Sequence, residues 1–465
     1  MASISGRRRD LSALLALATV ALPAPAARPA EPLLLEYRAV LEGSAGARTL
    51  AVEAFLPPGA GDAVGDEGMG RFVSESGVKC EGAAGAKRGC RVHYRFAVEQ
   101  AARELDDPDE AALRGGVLIA PTGTWLFPPP RAPEGTRYRL TVSTPAGVSF
   151  VCGLVATGAT EAQTFEGIVD GGGMTPYAAF GTFDRRRIEV GGGVIDVALA
   201  RSKPPIDGAA VETWLRTAGR AITAFYGRYP VPRLQVVVLG ADAGMGKQMG
   251  GGGGASILLG VRPGTDPARG GNDWVATHEM VHVATPDLPR RQIWLTEGLA
   301  TYVEPVARTR IGDTSPATAW ADMRQGMPKG RAAIERVGLD EAQSWGATYW
   351  GGALYGLMAD VEIRELTGNR QSLQDCLRAV LVAGGNGARA WPLRKFLAEA
   401  DRPLPHPVLG PLYERMAHQR STLDLEAFWK RLGVAAAPGG GVTFDDAAPL
   451  AAVRKAITAR AGESR

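Results

Sequence analysis

Histidine and cysteine are both scarce in this chain, five and four among 465 residues. No cysteine pair has zinc-finger spacing, which excludes a structural metal site of that kind. Charge of one sign is also lacking: 52 basic against 49 acidic residues leave a net charge of +3. That is too small to make a nucleic-acid or anionic-membrane surface by itself. No basic cluster or aromatic RNA-binding signature follows the N-terminus, so no nucleic acid is expected as a partner. Past the N-terminus no stretch is apolar for the roughly 20 residues that span a bilayer, so the mature chain is expected to lack a transmembrane segment. Hydrophobic residues at 45% and charged residues at 22% are ordinary globular values, which excludes wholesale disorder.

What the N-terminus does have is a signal-peptide pattern. Arg7-Arg8-Arg9 forms a basic start, Leu11 to Leu22 a short apolar run, and Ala24-Pro25-Ala26 a cleavage site. Residues 1–26 are therefore read as a signal peptide, and the protein as exported, periplasmic or extracellular. In such a compartment cysteines can pair. Cys80 and Cys90 flank a Gly/Ala/Lys-rich stretch that reads as a hairpin loop, and a bridge is expected between them. Cys152 lies in an apolar run, Val148 to Val155, and Cys376 on a helix-like segment, each as readily a small buried hydrophobe as half of a bridge.

From Leu33 to about Ala200 short alternating runs are separated by Gly/Pro clusters, the rhythm of a β-sandwich-like domain. One helical insertion is expected near Ala101–Leu113. An amphipathic helix follows from Asp207 to Tyr226, then a strand at Leu234–Leu239. After about Thr314 the pattern is mainly helical. The fold class is thus α+β and multidomain, with a β-rich N-terminal domain at 27–204 and a helical C-terminal region at 371–465.

The chemistry concentrates between these, in 205–370. Thr277-His278-Glu279-Met280-Val281-His282 contains HExxH. On a helix, residues i and i+4 share one face, so both imidazoles can bind one cation while Glu279 faces a water beside it. Asn272 or Asp273 is a plausible N-cap, and Pro286 a stop. With so few histidines this pattern is seldom accidental; the alternative is an amphipathic helix with two satisfied histidines. Next comes Trp294-Leu295-Thr296-Glu297-Gly298-Leu299-Ala300-Thr301-Tyr302-Val303-Glu304. A hydrolytic zinc site takes three protein ligands and keeps one position open, His₂Glu among the standard sets. Glu297, on a second helix, would complete such a set.

These two segments together resemble the signature of the gluzincin metallopeptidases, most of all the alanyl-aminopeptidase and glycyl-aminopeptidase families. The resemblance implies a thermolysin-like α/β catalytic domain, one Zn²⁺ per chain on His278, His282 and Glu297, Glu279 as general base, and a peptide or protein substrate. One departure is that only fourteen residues separate His282 from Glu297, against roughly eighteen in the alanyl-aminopeptidase pattern. The families also carry a Tyr–x–x–Gly motif whose tyrosine stabilises the oxyanion, and Tyr349 with Gly352 matches it; Tyr302 and Tyr355 read as packing residues.

Upstream, Met249-Gly250-Gly251-Gly252-Gly253-Gly254-Ala255 reads as a glycine loop entering a strand. Gly252, Gly253, Gly254 and Ala255 would let a substrate backbone approach closely; a plain surface loop is the alternative. The related aminopeptidases place a glutamate there to grip the substrate's α-amine, and no glutamate lies between Gly250 and Gly260. The expectation is an exported zinc metallopeptidase, an aminopeptidase in the first instance. A selective endopeptidase and a non-catalytic zinc-containing binding protein are the alternatives.

Overall fold

Alternation of apolar and polar residues makes Leu34–Glu42 a strand with one buried face, from which Leu35, Tyr37, Ala39 and Leu41 point inward. A computed structural model of the chain describes residues 34–58, 68–81, 89–130, 132–157, 163–169, 176–241, 245–269, 271–420 and 422–462. The expected signal peptide, 1–26, lies outside them, as does most of the stretch between Cys80 and Cys90. Leu33–Arg465 is one compact unit.

Leu34–Glu42 lies inside a seven-stranded sheet, antiparallel to Thr49–Leu56 and parallel to Arg137–Ser143. A four-stranded sheet contains Val117–Ile119, Ala178–Gly181 and Ser149–Cys152. The expected disulfide joins Cys80 and Cys90 as directly opposed residues on the neighbouring strands Val73–Glu81 and Gly89–Phe96. Cys152 and Cys376 are buried thiols; burial pushes the Cys152 thiol up to about 12, which suits the small-hydrophobe alternative. The helical insertion is shorter than expected, Val98–Leu105, because Asp106 turns left-handed and Ala112–Arg114 pairs as a strand.

The five-stranded sheet positions the site. Its order is Phe183–Val190, Gly193–Ala200, Arg233–Gly240, Gly254–Val261, Met245–Gly251, parallel in the middle and antiparallel at both edges. Every residue of Gly254–Val261 is buried, because both faces are covered. Ala255, Ile257 and Leu259 pack on the helical side with Ala276 and Met280, whereas Leu258 packs with Val117, Ile119 and Val151 of the four-stranded sheet. Each such large aliphatic side chain contributes about 1.5–3 kcal/mol by leaving water. Helix Gly208–Tyr226 is capped by Asp207, whose carboxylate accepts from the Ala209 and Ala210 amides. Beyond Pro316 the chain is helical as expected, except for a small hairpin of Val434–Ala436 with Val442–Phe444.

Candidate metal centre and catalytic cleft

The HExxH segment forms the short helix Val275–Val283, nearly all of it buried. Neither Asn272 nor Asp273 caps it with a side chain. The Val275 amide donates to the Asn272 carbonyl, and the Asp273 carboxylate is taken by Arg308 instead. The helix ends at Ala284, two residues before Pro286. Glu297 stands on the helix Ile293–Ile311. The short connection between the two helices is pinned to a distant segment: Asp287 exchanges backbone hydrogen bonds with Arg389 and Trp391, and the Gly387 amide donates to Val283. That pairing holds the abbreviated linker in place.

His278, His282 and Glu297 offer ligand atoms that all lie within 4.8 Å of one another. Both imidazole Nε2 atoms are 3.3 Å from the same Glu297 oxygen. Two imidazoles and a carboxylate converging on one small volume suit Zn²⁺, and this donor set leaves room for a fourth ligand. The electrostatics point the same way. Burial pushes the Glu297 carboxyl up, but His282 and His278 outweigh it and hold it well below the usual carboxylate range. Glu279 is raised instead: burial dominates, the two imidazoles oppose it, and Glu297 adds to it.

Tyr349 lies on a π-helical turn, Gly346–Gly351, that runs into the helix Gly352–Thr367. A single α-helix through this segment is what its sequence suggests, and the wider turn is a local irregularity of a kind frequent at functional sites. The Tyr349 ring stacks on His278 with centroids 6.2 Å apart. Burial, with Glu297 and Glu279 nearby, pushes its phenol up to about 12, so the hydroxyl keeps its proton and can donate a hydrogen bond. Close helix contact makes this placement possible: a Cβ on Gly298 would lie 2.1 Å from Gly352 Cα. Glu297 and Tyr349 are brought to one cleft because neither glycine has a side chain. Tyr302 and Tyr355 are core residues as expected, donating to Asp360 and to the Leu409 carbonyl.

The glycine-rich segment is a hairpin rather than a loop. Met245–Gly251 is itself the edge strand, antiparallel to Gly254–Val261. Gly252 and Gly253 turn the corner with positive φ of 58° and 82°. Their neighbourhood is already occupied by protein: the Gly252 carbonyl accepts from Ile168, the Gly253 amide donates to Ala388, and the Ala255 amide donates to Gly153. Gly254 is buried, and a Cβ there would lie 2.6 Å from the Gly153 carbonyl oxygen. The part of the hairpin against Glu279 is Gly246 to Gln248. A Cβ on Gly246 would lie 2.8 Å from Glu279 Oε1, and the Gln248 amide donates to Glu279. No glutamate occurs in Met245–Gly251.

Sequence reasoning also missed the residues beside the cleft that come from far away. Lys247 pairs with Asp109 at 2.8 Å, and Asp109 also accepts from Tyr177. Trp274 meets His278 edge-on at 5.5 Å, and Trp345 lies 5.5 Å from Tyr349; both indoles are exposed, Trp345 by 60%. An exposed tryptophan is unusual enough to draw notice, but nothing local in the sequence marks these two. Thr301 donates to the Glu297 backbone carbonyl, and Glu304 pairs with Arg308. His418 pairs with Glu414 and Asp340, outside the cluster.

Two solved structures share the fold. One is an aminopeptidase N family protein from Idiomarina loihiensis, 12% identical with a TM-score of 0.65, matched over 86% of this chain and 78% of that one. The other is native yeast LTA4 hydrolase, 13% identical with a TM-score of 0.53, over 84% of this chain and 68% of that one. No protein-family model matches the chain, and no curated protein matches it. The likeness is one of fold. Among the described residues no helix is long and apolar enough to cross a membrane.

Proposed function

We propose that this chain is an exported zinc-dependent peptidase, an aminopeptidase in the first instance, with Glu279 as its general base. The observation that carries the reading is the convergence of His278, His282 and Glu297 with Glu279 buried alongside and Tyr349 stacked over them. His278, His282 and Glu297 would hold Zn²⁺, which would supply Lewis acidity and make a nearby water more acidic. Glu279 takes a proton from the attacking water and delivers it to the leaving amine; a carboxyl raised by burial is suited to both directions of transfer. The Tyr349 hydroxyl donates to the carbonyl oxygen as negative charge develops there. The edge strand Met245–Gly251 offers backbone groups to an extended peptide next to Glu279.

A second reading is supported by the same strand. Its lack of a glutamate removes an amine anchor from that position and favours an endopeptidase. Incubating one peptide with a free N-terminus and with an acetylated one separates the two. An aminopeptidase releases single residues from the free form alone, whereas equal internal cutting of both forms makes the chain an endopeptidase. If neither peptide, nor a mixed peptide library, is cut by the zinc-loaded chain, the peptidase reading fails.

A further inference from the structure

A second cavity, of about 330 Å³, opens between the N-terminal sheets and the five-stranded sheet. No residue of the metal-bearing helices lines it. Its size is at the lower end for small-molecule sites. Arg185 and Arg187 lie two apart on Phe183–Val190, on one face of the strand, and Arg233 stands two strands away. Arg186 also lines the cavity but is paired with Asp184 and Glu212.

The charges here do not balance. Among the described residues Asp196 is the one carboxylate lining the cavity. It takes Arg233 Nε at 2.7 Å and Arg187 at 3.2 Å. Arg233 spends its remaining groups on the carbonyls of Cys152 and Leu154 and on Gln235 Oε1. Arg185 donates once, to the Phe150 carbonyl at 3.1 Å, and has no carboxylate within ion-pair distance among the described residues. Partial burial lowers its pKa; Asp196 opposes the shift and Arg233 adds to it. On the opposite wall, Gln163 Oε1 is buried with no donor among the described residues. A buried acceptor left without a donor is costly.

An anion answers the guanidinium groups, and a hydroxyl answers Gln163. An ammonium would answer Gln163 as well, but three guanidiniums repel it. We propose that this cavity binds a small oxyanion that also carries an O–H donor, the chemistry shared by hydroxycarboxylates and hydrogen phosphate groups. Its charged oxygens take the free N–H groups of Arg185 and Arg187, and its hydroxyl donates to Gln163 Oε1. The site is independent of the peptidase reading.

The test is binding by calorimetry and thermal melting on the full chain, at constant ionic strength, with phosphate, gluconate and sulfate as probes. Sulfate at neutral pH has the charge without the O–H. We expect saturable binding of phosphate, of gluconate or of both. Phosphate alone identifies a phosphate-bearing ligand, gluconate alone a hydroxycarboxylate. Arg185→Gln, at an exposed side chain, should weaken that binding at least about tenfold, or ~1.4 kcal/mol. Gln163→Leu should weaken it too, while leaving the weaker sulfate binding unchanged. No saturable binding of either probe overturns the proposal. So does binding unaltered in Arg185→Gln, or sulfate bound as tightly as phosphate.

Discussion

Two charged clusters tie the same pair of helices together, and they are balanced in opposite ways. At one end, Arg308 of Ile293–Ile311 holds Asp273, just before the motif helix, together with Glu304 and Asp313. The cation of that cluster is part of the chain. At the other end, His278 and His282 face Glu297 and Glu279, and no lysine or arginine pairs with them among the described residues. A buried group of acceptors with its cation built in is a structural knot. A comparable group without one is organised for a cation from outside. The contrast separates the part of the helix pair that sets geometry from the part that can accept a metal ion.

Removing a ligand should have the largest effect on this contrast. Zinc should stabilise the wild-type chain in thermal melts, by about 4 kcal/mol at a thousand times its dissociation constant. Glu297→Ala should abolish both that response and the bound metal, and an unchanged metal content would take Glu297 out of the ligand set. Breaking the knot comes next. Arg308→Met leaves the buried Glu304, and the more exposed Asp273 and Asp313, without their counter-charge and should cost about 3–5 kcal/mol in urea denaturation. A loss below about 1 kcal/mol would make the knot a surface-like pairing.

Tyr349→Phe should keep the metal and the fold but lower kcat about 10²-fold, the usual scale for one oxyanion donor. Unchanged kcat would make Tyr349 a packing residue. The smallest effect is on pH dependence. Glu304 is raised by burial to about 7, with Arg308 opposing and Asp273 and Asp322 adding to the rise. Its folded carboxyl therefore binds a proton more tightly than the unfolded one. The corresponding stability is full below the ordinary carboxyl pKa and is lost as pH rises through about 7. Glu304→Gln should flatten that part of the stability curve, and an unaltered slope would assign it to another group.

The parts legible in sequence are those that local spacing dictates. HExxH declares itself because a helix places i and i+4 on one face, and Cys80 and Cys90 because they bracket a turn. Leu34–Glu42, Thr49–Leu56 and Gly89–Phe96 follow from alternation, whereas Val73–Glu81 does not alternate. Met245–Gly251 does not: Met-Gly-Lys-Gln-Met-Gly-Gly has no β-branched residue and takes its form from pairing with Gly254–Val261. Its role beside Glu279 was therefore hidden, and the glycines at the turn drew the reading instead. The contact of Gly298 with Gly352, and the reach of Arg308 to Asp273, join residues far apart in the chain. No periodicity announces such pairs.

The central claim is that a carboxylate beside a zinc site performs peptide hydrolysis. The direct measurement is mass spectrometry of a mixed peptide library incubated with the wild-type chain and with Glu279→Gln, each loaded to one zinc per chain. The account predicts cuts by the wild type and a rate lower by about 10²–10⁴-fold in the variant at equal metal content. Rates within about tenfold of each other would contradict the assignment of Glu279, and an absence of cuts by both chains would contradict the peptidase reading itself.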